Sequence, residues 1–252
     1  MFFRDNSKIV LDCFTNSSVA YGYFPISNAI ESLPNWWKNL DKTFEVQSFE
    51  TLRNKSATIK KCPGIFNLFN KGFVVPAPAE LSLEIKKENN QYKFNYEFVG
   101  PKTNCKIDLH DHRQYMGVFN NNFLQGKITL PWLVKETSGV NFTFIEPTWM
   151  MENPNSYCIP PGVLDFKYQN NININFFVEL KSSRIDIDAG TPLAHLIPLS
   201  DKKIKLKHHL VSDEEYEKLF TLSQPFGWIS SYKQRKELIN KKSKCPFNFL
   251  YL

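Results

Sequence analysis

Between Ile172 and Leu180 the chain alternates strictly, with Ile172, Ile174, Phe176, Val178 and Leu180 separated by Asn173, Asn175, Phe177 and Glu179. A period of two sends successive side chains to opposite faces, a pattern that an extended strand with one buried face satisfies and a helix does not. Lys181, Ser182 and Ser183 form a polar turn, after which Ile185 and Ile187 resume the alternation up to Asp188, Ala189 and Gly190. Gly190 is expected to supply a positive φ, and Pro192 fixes the approach to the next strand. That strand, residues 193–199, places Leu193, His195, Ile197 and Leu199 on one face and Ala194 and Leu196 on the other. Both faces are nearly apolar, which predicts a central, buried strand. Residues 157–199 therefore define a β fold, without a complete catalytic signature.

Elsewhere the same logic predicts further strands. Leu81, Leu83 and Ile85, then Tyr92, Phe94, Tyr96 and Phe98, flank a polar ENNQ turn and read as a hairpin. Residues 128–134 and 140–145 read as a second pair closed across ETSG, with Pro131 putting its strand at an edge or bulge. Residues 9–14 and 19–24 read as an opening hairpin. Short helices are expected at 28–33, capped by Ser27, and at 63–69, where Pro63 suits the first helical position and Gly72 the residue after the helix. Adjacent Trp36 and Trp37 cannot share one narrow helix face and are expected to anchor a core. Residues 41–57 are weakly patterned, as expected of a loop or edge strand. Past Leu199 the texture changes: Ser212 and Glu215 form a capping box for a helix carrying Tyr216, Leu219 and Phe220, and a second helix is expected at 232–240.

Composition narrows the class. At 252 residues, with 22 Phe and only 10 Gly, the chain can bury a sizeable core and suits a packed β protein better than a flexible one. The predicted organisation is a β-rich core with short N-terminal helices over residues 1–200 and a helical, basic extension over residues 201–252. The net charge of +6 is carried in part by Lys233, Arg235, Lys236, Lys241, Lys242 and Lys244; a solvated helix face accounts for this cluster better than nucleic-acid contact through the extension. The five cysteines are scattered with no CxxC pair, so reduced thiols are expected. No run approaches the ~18 apolar residues of a membrane span, and the N-terminus lacks a basic segment followed by an apolar run.

One dense ligand cluster stands out. In KIDLHDHRQ, an extended backbone would put Asp108, His110 and His112 on one face, with Asp111 and Arg113 opposite. Two histidines at i and i+2 with a third on a buried strand, His195, resemble the metal set of cupin-type β-barrels, which implies a divalent metal and an oxygenase or isomerase. The cluster departs from that pattern in having Gln114 and Tyr115 where a Glu is expected, and a polar hairpin turn with His195 as a hydrogen-bonded core residue is the competing reading. There is no G-x-S-x-G elbow, phosphate-cradling Gly loop or Cys in an electropositive motif. Glu146 and Glu152, around the aromatic-rich PTWMM, read as loop acids.

Two family resemblances add to this. Gly162, Val163, Leu164 and Asp165, then Tyr168, a strand from Ile172 and AGTPLAHLI resemble the later half of dUTPase-like β-clip proteins. That resemblance implies a nucleoside pocket in which Asp165 faces the sugar and Tyr168 stacks beneath it, and a homotrimer. The chain lacks the family's Arg-Ser-Gly segment, its Gly-rich C-terminal arm and its charged turn, so hydrolysis of a deoxynucleotide does not follow. Over most of its length, through FPI, PNWWK, TIKKCPGIFNLFNKGFVVPAPAELSLEI, FIEP, PPGVLD and GTPLAHLIPL, the chain resembles an uncharacterised protein family of bacteriophages, especially marine ones. This implies a viral source, in host cytoplasm or virion, and brings no activity.

The expectation is a mainly β protein with a β-clip or jelly-roll-like core, acting without catalysis in binding or assembly as a virion component or host-directed accessory protein. Its partners would be copies of itself or other phage proteins. Nucleotide binding at Asp165 and Tyr168, and metal chemistry at His110, His112 and His195, are the alternatives.

Overall fold

A computed structural model describes residues 8–46, 55–88, 91–100, 104–115, 122–151, 157–182, 184–223 and 236–237. From the N-terminus, β1 (Lys8–Thr15) leads into a short helix α1 (Ser18–Gly22), then β2 (Ser27–Asn28), a 3-10 turn at Ala29–Ser32 and helix α2 (Asn35–Asn39). A hairpin of β3 (Thr43–Glu45) and β4 (Lys55–Ala57) precedes α3 (Pro63–Phe69) and β5 (Phe73–Pro76). Next come β6 (Glu80–Glu88), β7 (Gln91–Val99), β8 (Lys106–Leu109) and the long β9 (Phe123–Glu136). The remaining strands are β10 (Phe142–Ile145), β11 (Tyr157–Cys158), β12 (Gly162–Leu164), β13 (Asn171–Glu179), β14 (Arg184–Ile187), β15 (Pro192–Pro198) and β16 (Lys203–Leu210), before helix α4 (Asp213–Ser223).

These strands make a mainly β protein. A six-stranded sheet runs β11-β13-β9-β1-β16, with β8 also on β9; a five-stranded sheet runs β12-β10-β15-β5-β2; a three-stranded sheet runs β14-β6-β7. One apolar core draws on all three: Leu11, Trp132 and Ile174 from the first, Phe73, Phe142 and Leu196 from the second, Leu83 and Ile185 from the third. Each fully buried side chain of this size removes enough apolar surface from water to contribute roughly 1.5–3 kcal/mol before entropy is counted. A second cluster, Ala29, Trp37, Phe69, Val74 and Met150, covers the opposite face of the five-stranded sheet. Trp37 is buried there edge-on to Phe69, while Trp36 packs beside it and donates from Nε1 to the Met151 carbonyl at 3.1 Å.

Where alternation is strong, the structure follows it. Ile172, Ile174, Phe176 and Val178 of β13 all point into the core, β6 and β7 pair from Glu80 against Val99 to Glu88 against Gln91, and β15 lies third of five strands. Gly190 has φ +85°, and Gly72, with φ +80°, lies just beyond α3. A Cβ on Gly72 would sit 2.0 Å from the Leu196 carbonyl oxygen, so this turn is laid directly on the β15 backbone.

Three expectations are corrected. No opening hairpin forms: residues 18–22 are helical because the Ser17 side chain caps the Ala20 N–H at 3.2 Å, and β1 instead pairs in parallel with β16 and antiparallel with β9. Residues 128–134 and 140–145 do not pair across ETSG. The buried Glu136 carboxylate accepts the N–H groups of Ser138, Gly139 and Val140, and this turn carries the chain from the six-stranded sheet to the five-stranded one. Pro131 does fall at an irregularity, where the β13–β9 register shifts between Asn171/Leu133 and Asn173/Thr129. Finally, residues 203–210, expected in a helical extension, form β16 at the rim of the main sheet. Helix α4 follows, with the Glu215 N–H bonded to Ser212 Oγ at 3.2 Å and Tyr216 buried. Of the helix expected at 232–240, only Lys236 and Glu237 are described, and both are helical; Lys233, Arg235, Lys241, Lys242 and Lys244 lie outside the described residues. No helix among the described residues is long and apolar enough to cross a membrane.

Candidate functional site

The histidines lie on separate sheets. His195, on β15, pairs with Val74 of β5, and Val74 belongs to the outer cluster, so its ring faces away from the six-stranded sheet. There it is 1% exposed and its Nε2 lies 2.6 Å from the Lys71 carbonyl. Burial lowers its pKa below the usual histidine value, against the opposing effect of that hydrogen bond, so the neutral ring with Nε2–H as donor is the form that fits. His110 follows β8 on the six-stranded sheet, its Nδ1 2.6 Å from Gln114 Oε1. The strand expected through His112 stops at Leu109 because Asp111 turns the chain: its carboxylate accepts the Arg113 backbone N–H at 2.9 Å and pairs with the Arg113 guanidinium. Asp108 is paired with Lys127 at 3.3 Å. The His112 side chain lies outside the described residues. Among the described residues no group of three or more His, Cys, Asp or Glu is placed to hold a metal ion.

Asp165 and Tyr168 are adjacent, in the turn between β12 and β13. The Asp165 carboxylate accepts the Lys167 N–H at 3.2 Å and its carbonyl accepts the N–H groups of Tyr168 and Gln169, which makes it the residue that sets this turn. Tyr168 is 6% exposed, and its ring carries two ammonium groups, Lys167 Nζ at 5.3 Å and Lys236 Nζ at 5.5 Å from the centroid. These are cation–π contacts on a ring that the dUTPase resemblance would have stack beneath a nucleoside sugar. Glu146 accepts the Ile159 N–H at 2.9 Å and serves the local backbone; Glu152 lies outside the described residues.

A large concavity lies elsewhere. A cleft of about 760 Å³ is bounded by β14 and the turn that follows it, by Tyr23, Phe24, Pro25 and Ser27 with Ser32 and Leu33, and by Val74, Pro76, Met150, Met151 and Tyr157. All four residues of β14 border it, although Ile185 and Ile187 point to the core and Arg184 and Asp186 to solvent. Side chains alternate across a strand, so a cavity touched by both sets meets the strand along its edge. β14 ends its sheet, paired only with β6 among the described residues, and β2 ends the five-stranded sheet. Ser27 of β2 also borders the cleft, which therefore lies between the open edges of two sheets.

The turn is rigid where it must be. The Ala77 N–H donates to the Thr191 carbonyl at 2.8 Å, the Gly190 N–H to the Ala77 carbonyl at 2.7 Å and the Thr191 N–H to the Asp188 carbonyl at 3.1 Å. Asp186 is bound through both oxygens by Arg184 Nε at 2.9 Å, and the Ser82 hydroxyl together with that guanidinium holds it below the usual carboxylate range. Asp188, exposed on the rim, has no side-chain partner among the described residues. Tyr23, 78% exposed, also borders the cleft. Sequence reasoning placed the strands and Gly190 but not the cleft; the RIDID pattern, apolar residues alternating with charges of both signs, is the local signal that this strand is half solvent-facing.

No family model matches the chain, and no protein of curated description matches it. Among solved structures, the native dUTPase of EIAV is similar over 64% of this chain and 86% of its own, at 15% sequence identity and a TM-score of 0.28. The likeness is a coarse one of β architecture.

Proposed function

We propose that the protein acts by binding rather than catalysis, taking an extended polypeptide segment into the cleft between β14 and β2. The observation that carries this is the contact of the cleft with the whole unpaired edge of β14. An open edge offers backbone N–H and C=O groups at fixed spacing, and an extended segment that pairs with it gains a ladder of hydrogen bonds while its alternate side chains fill the flanking pockets. Val74, Pro76, Met150 and Met151 would receive apolar side chains, and methionine suits such a surface because its thioether adapts its shape. Asp188 would favour a segment with a basic residue at that end. A role in assembly, as a virion component or a host-directed accessory protein of a bacteriophage, is the setting that fits this reading and the sequence resemblance together.

The test is selection from a random heptapeptide library, followed by titration of the selected synthetic peptide against the native protein and against Ala189→Trp, which puts an indole at the cleft mouth from an exposed turn position. The reading expects peptides of alternating apolar residues whose binding drops at least tenfold in the variant. Failure to select any peptide, or equal binding by both proteins, would overturn it.

A further inference from the structure

β16 reads KIKLKHHL, and its apolar half, Ile204 and Leu206, packs against the core. The alternation sends Lys203, Lys205, Lys207 and His209 to the outer face of the six-stranded sheet. The parallel register sets Lys203 beside Lys8, Lys205 beside Val10, Lys207 beside Asp12 and His209 beside Phe14. On the far side of β1, Asp12 is opposite Lys135 of β9. Lys8, Lys135, Lys203, Lys205 and Lys207 are all exposed, and none has an ion-pair partner among the described residues. Asp12 is the one acid on these three strands' outer face, and it is engaged by His209 Nε2 at 2.9 Å. Five lysines against one aspartate leave a formal +4, most of the +6 of the whole chain.

We propose that this face binds the phosphate backbone of a single-stranded nucleic acid. Lysines on alternate residues of one strand stand about 6.5–7 Å apart, forming a straight row that an extended polyanion can follow. Edge strands carry lysine to prevent aggregation, but that explains β16 alone; Lys8 and Lys135 lie on inner strands, where no edge needs protection. At the end of the row Phe14 and His209 are stacked, ring centroids 4.7 Å apart and 18° from parallel, with the His209 side chain 39% exposed. A partly exposed flat ring next to a row of cations is the pairing that single-stranded nucleic-acid sites use, the lysines tracking phosphates and the free face of the ring stacking on a base. It favours nucleic acid, in which every unit carries a ring, over an acidic polypeptide, whose carboxylate side chains have none to stack. This surface is separate from the cleft and does not depend on it.

The test is fluorescence anisotropy of a labelled dT 12-mer with the full chain across a salt series. Five lysine–phosphate contacts predict a slope of log K against log salt of about −3.5, since each contact on a single strand contributes about −0.7. The triple variant Lys203→Gln, Lys205→Gln, Lys207→Gln should flatten the slope to about −1.4 and weaken binding on the order of 100-fold at 0.1 M salt. The control Lys42→Gln, Lys55→Gln, Lys61→Gln removes the same charge from exposed positions elsewhere and should cost less than fivefold. Should the β16 triple melt early, the double variant Lys8→Gln, Lys135→Gln replaces it, with an expected loss of about 25-fold on the same arithmetic. Equal loss in patch and control variants, absence of binding by the native protein, or competition by poly-glutamate as effective as unlabelled oligonucleotide would each overturn the proposal, the last assigning the face to acidic polypeptides.

Discussion

Gly72→Ala and Gly139→Ala form a matched pair that isolates how tightly the turn after α3 is built against β15. Both glycines have φ +80°, so alanine pays the same left-handed strain at each, about 1–2 kcal/mol, and gains the same small benefit from a less flexible unfolded chain. Their surroundings differ. At Gly139 the nearest atom to a new Cβ is the Lys167 Cδ at 3.7 Å, whereas at Gly72 the Leu196 carbonyl oxygen is at 2.0 Å and its carbon at 2.9 Å. Those are backbone atoms of a central strand. Relieving the clash means moving β15 or the turn by more than 1 Å, roughly, which adds about 1–3 kcal/mol as overpacking does in cores. Thermal unfolding should therefore show Gly139→Ala lower than the native protein by up to about 6 °C and Gly72→Ala lower again by a further ~2–12 °C, using about 2–4 °C per kcal/mol for a chain of this size. Melting temperatures for the two variants within 2 °C of one another, roughly the smallest shift that 1 kcal/mol produces, would refute the close approach of this turn to β15.

Two further outcomes follow from buried groups. His195 has a folded pKa below its unfolded value of about 6.5, so the unfolded chain binds the proton first as pH falls; the stability present above pH ~6.5 is lost progressively down to the folded pKa. Urea midpoints should fall between pH 7 and 5 more steeply for the native protein than for His195→Asn, and parallel pH profiles would contradict the buried neutral ring. Cys13 is fully buried, and desolvation, with a smaller effect of the nearby Asp12 charge, pushes its thiol far above the ordinary value, while Cys62 is exposed. A thiol reagent read by peptide mass mapping should label Cys62 in the native state and leave Cys13 untouched until unfolding; early labelling of Cys13 would place β1 outside the core.

Much of the β architecture was legible because its signal is local. The alternation of β13, β6 and β7 needs only one apolar face per strand, β15 carries two nearly apolar faces, and Pro63 and Gly190 declare their backbone conformations in their own chemistry. What failed was non-local. Residues 19–24 have β-prone composition, yet a single cap from Ser17 and the capture of β1 by β16, nearly 200 residues later, put residues 18–22 in a helix and leave Tyr23 and Phe24 in the turn after it. Residues 128–145 have the pattern of a hairpin, but the buried Glu136 turns the chain toward another sheet. The period-two signal of KIKLKHHL was present and was masked by its charge, since lysine is common on solvated helices as well as on exposed strand faces. The cleft could not be read at all: its walls come from Tyr23, Phe24, Pro25, Ser27, Ser32 and Leu33, from Val74 and Pro76, from Met150, Met151 and Tyr157, and from residues 184–192, brought together by sheet order alone. The candidate residues were chosen for chemistry, and His195, Asp165 and Asp111 turned out to have structural partners in the backbone.

The central claim, that the open edge of β14 accepts an extended segment, is tested most directly by amide hydrogen exchange at residues 184–187 with and without the peptide selected from the library. The account predicts that those amides not bonded to β6 exchange quickly in the free protein and become strongly protected on binding, together with amides at Ser27 and Asn28 if the segment bridges both edges. Tight peptide binding with no change in exchange at residues 184–187 would contradict it.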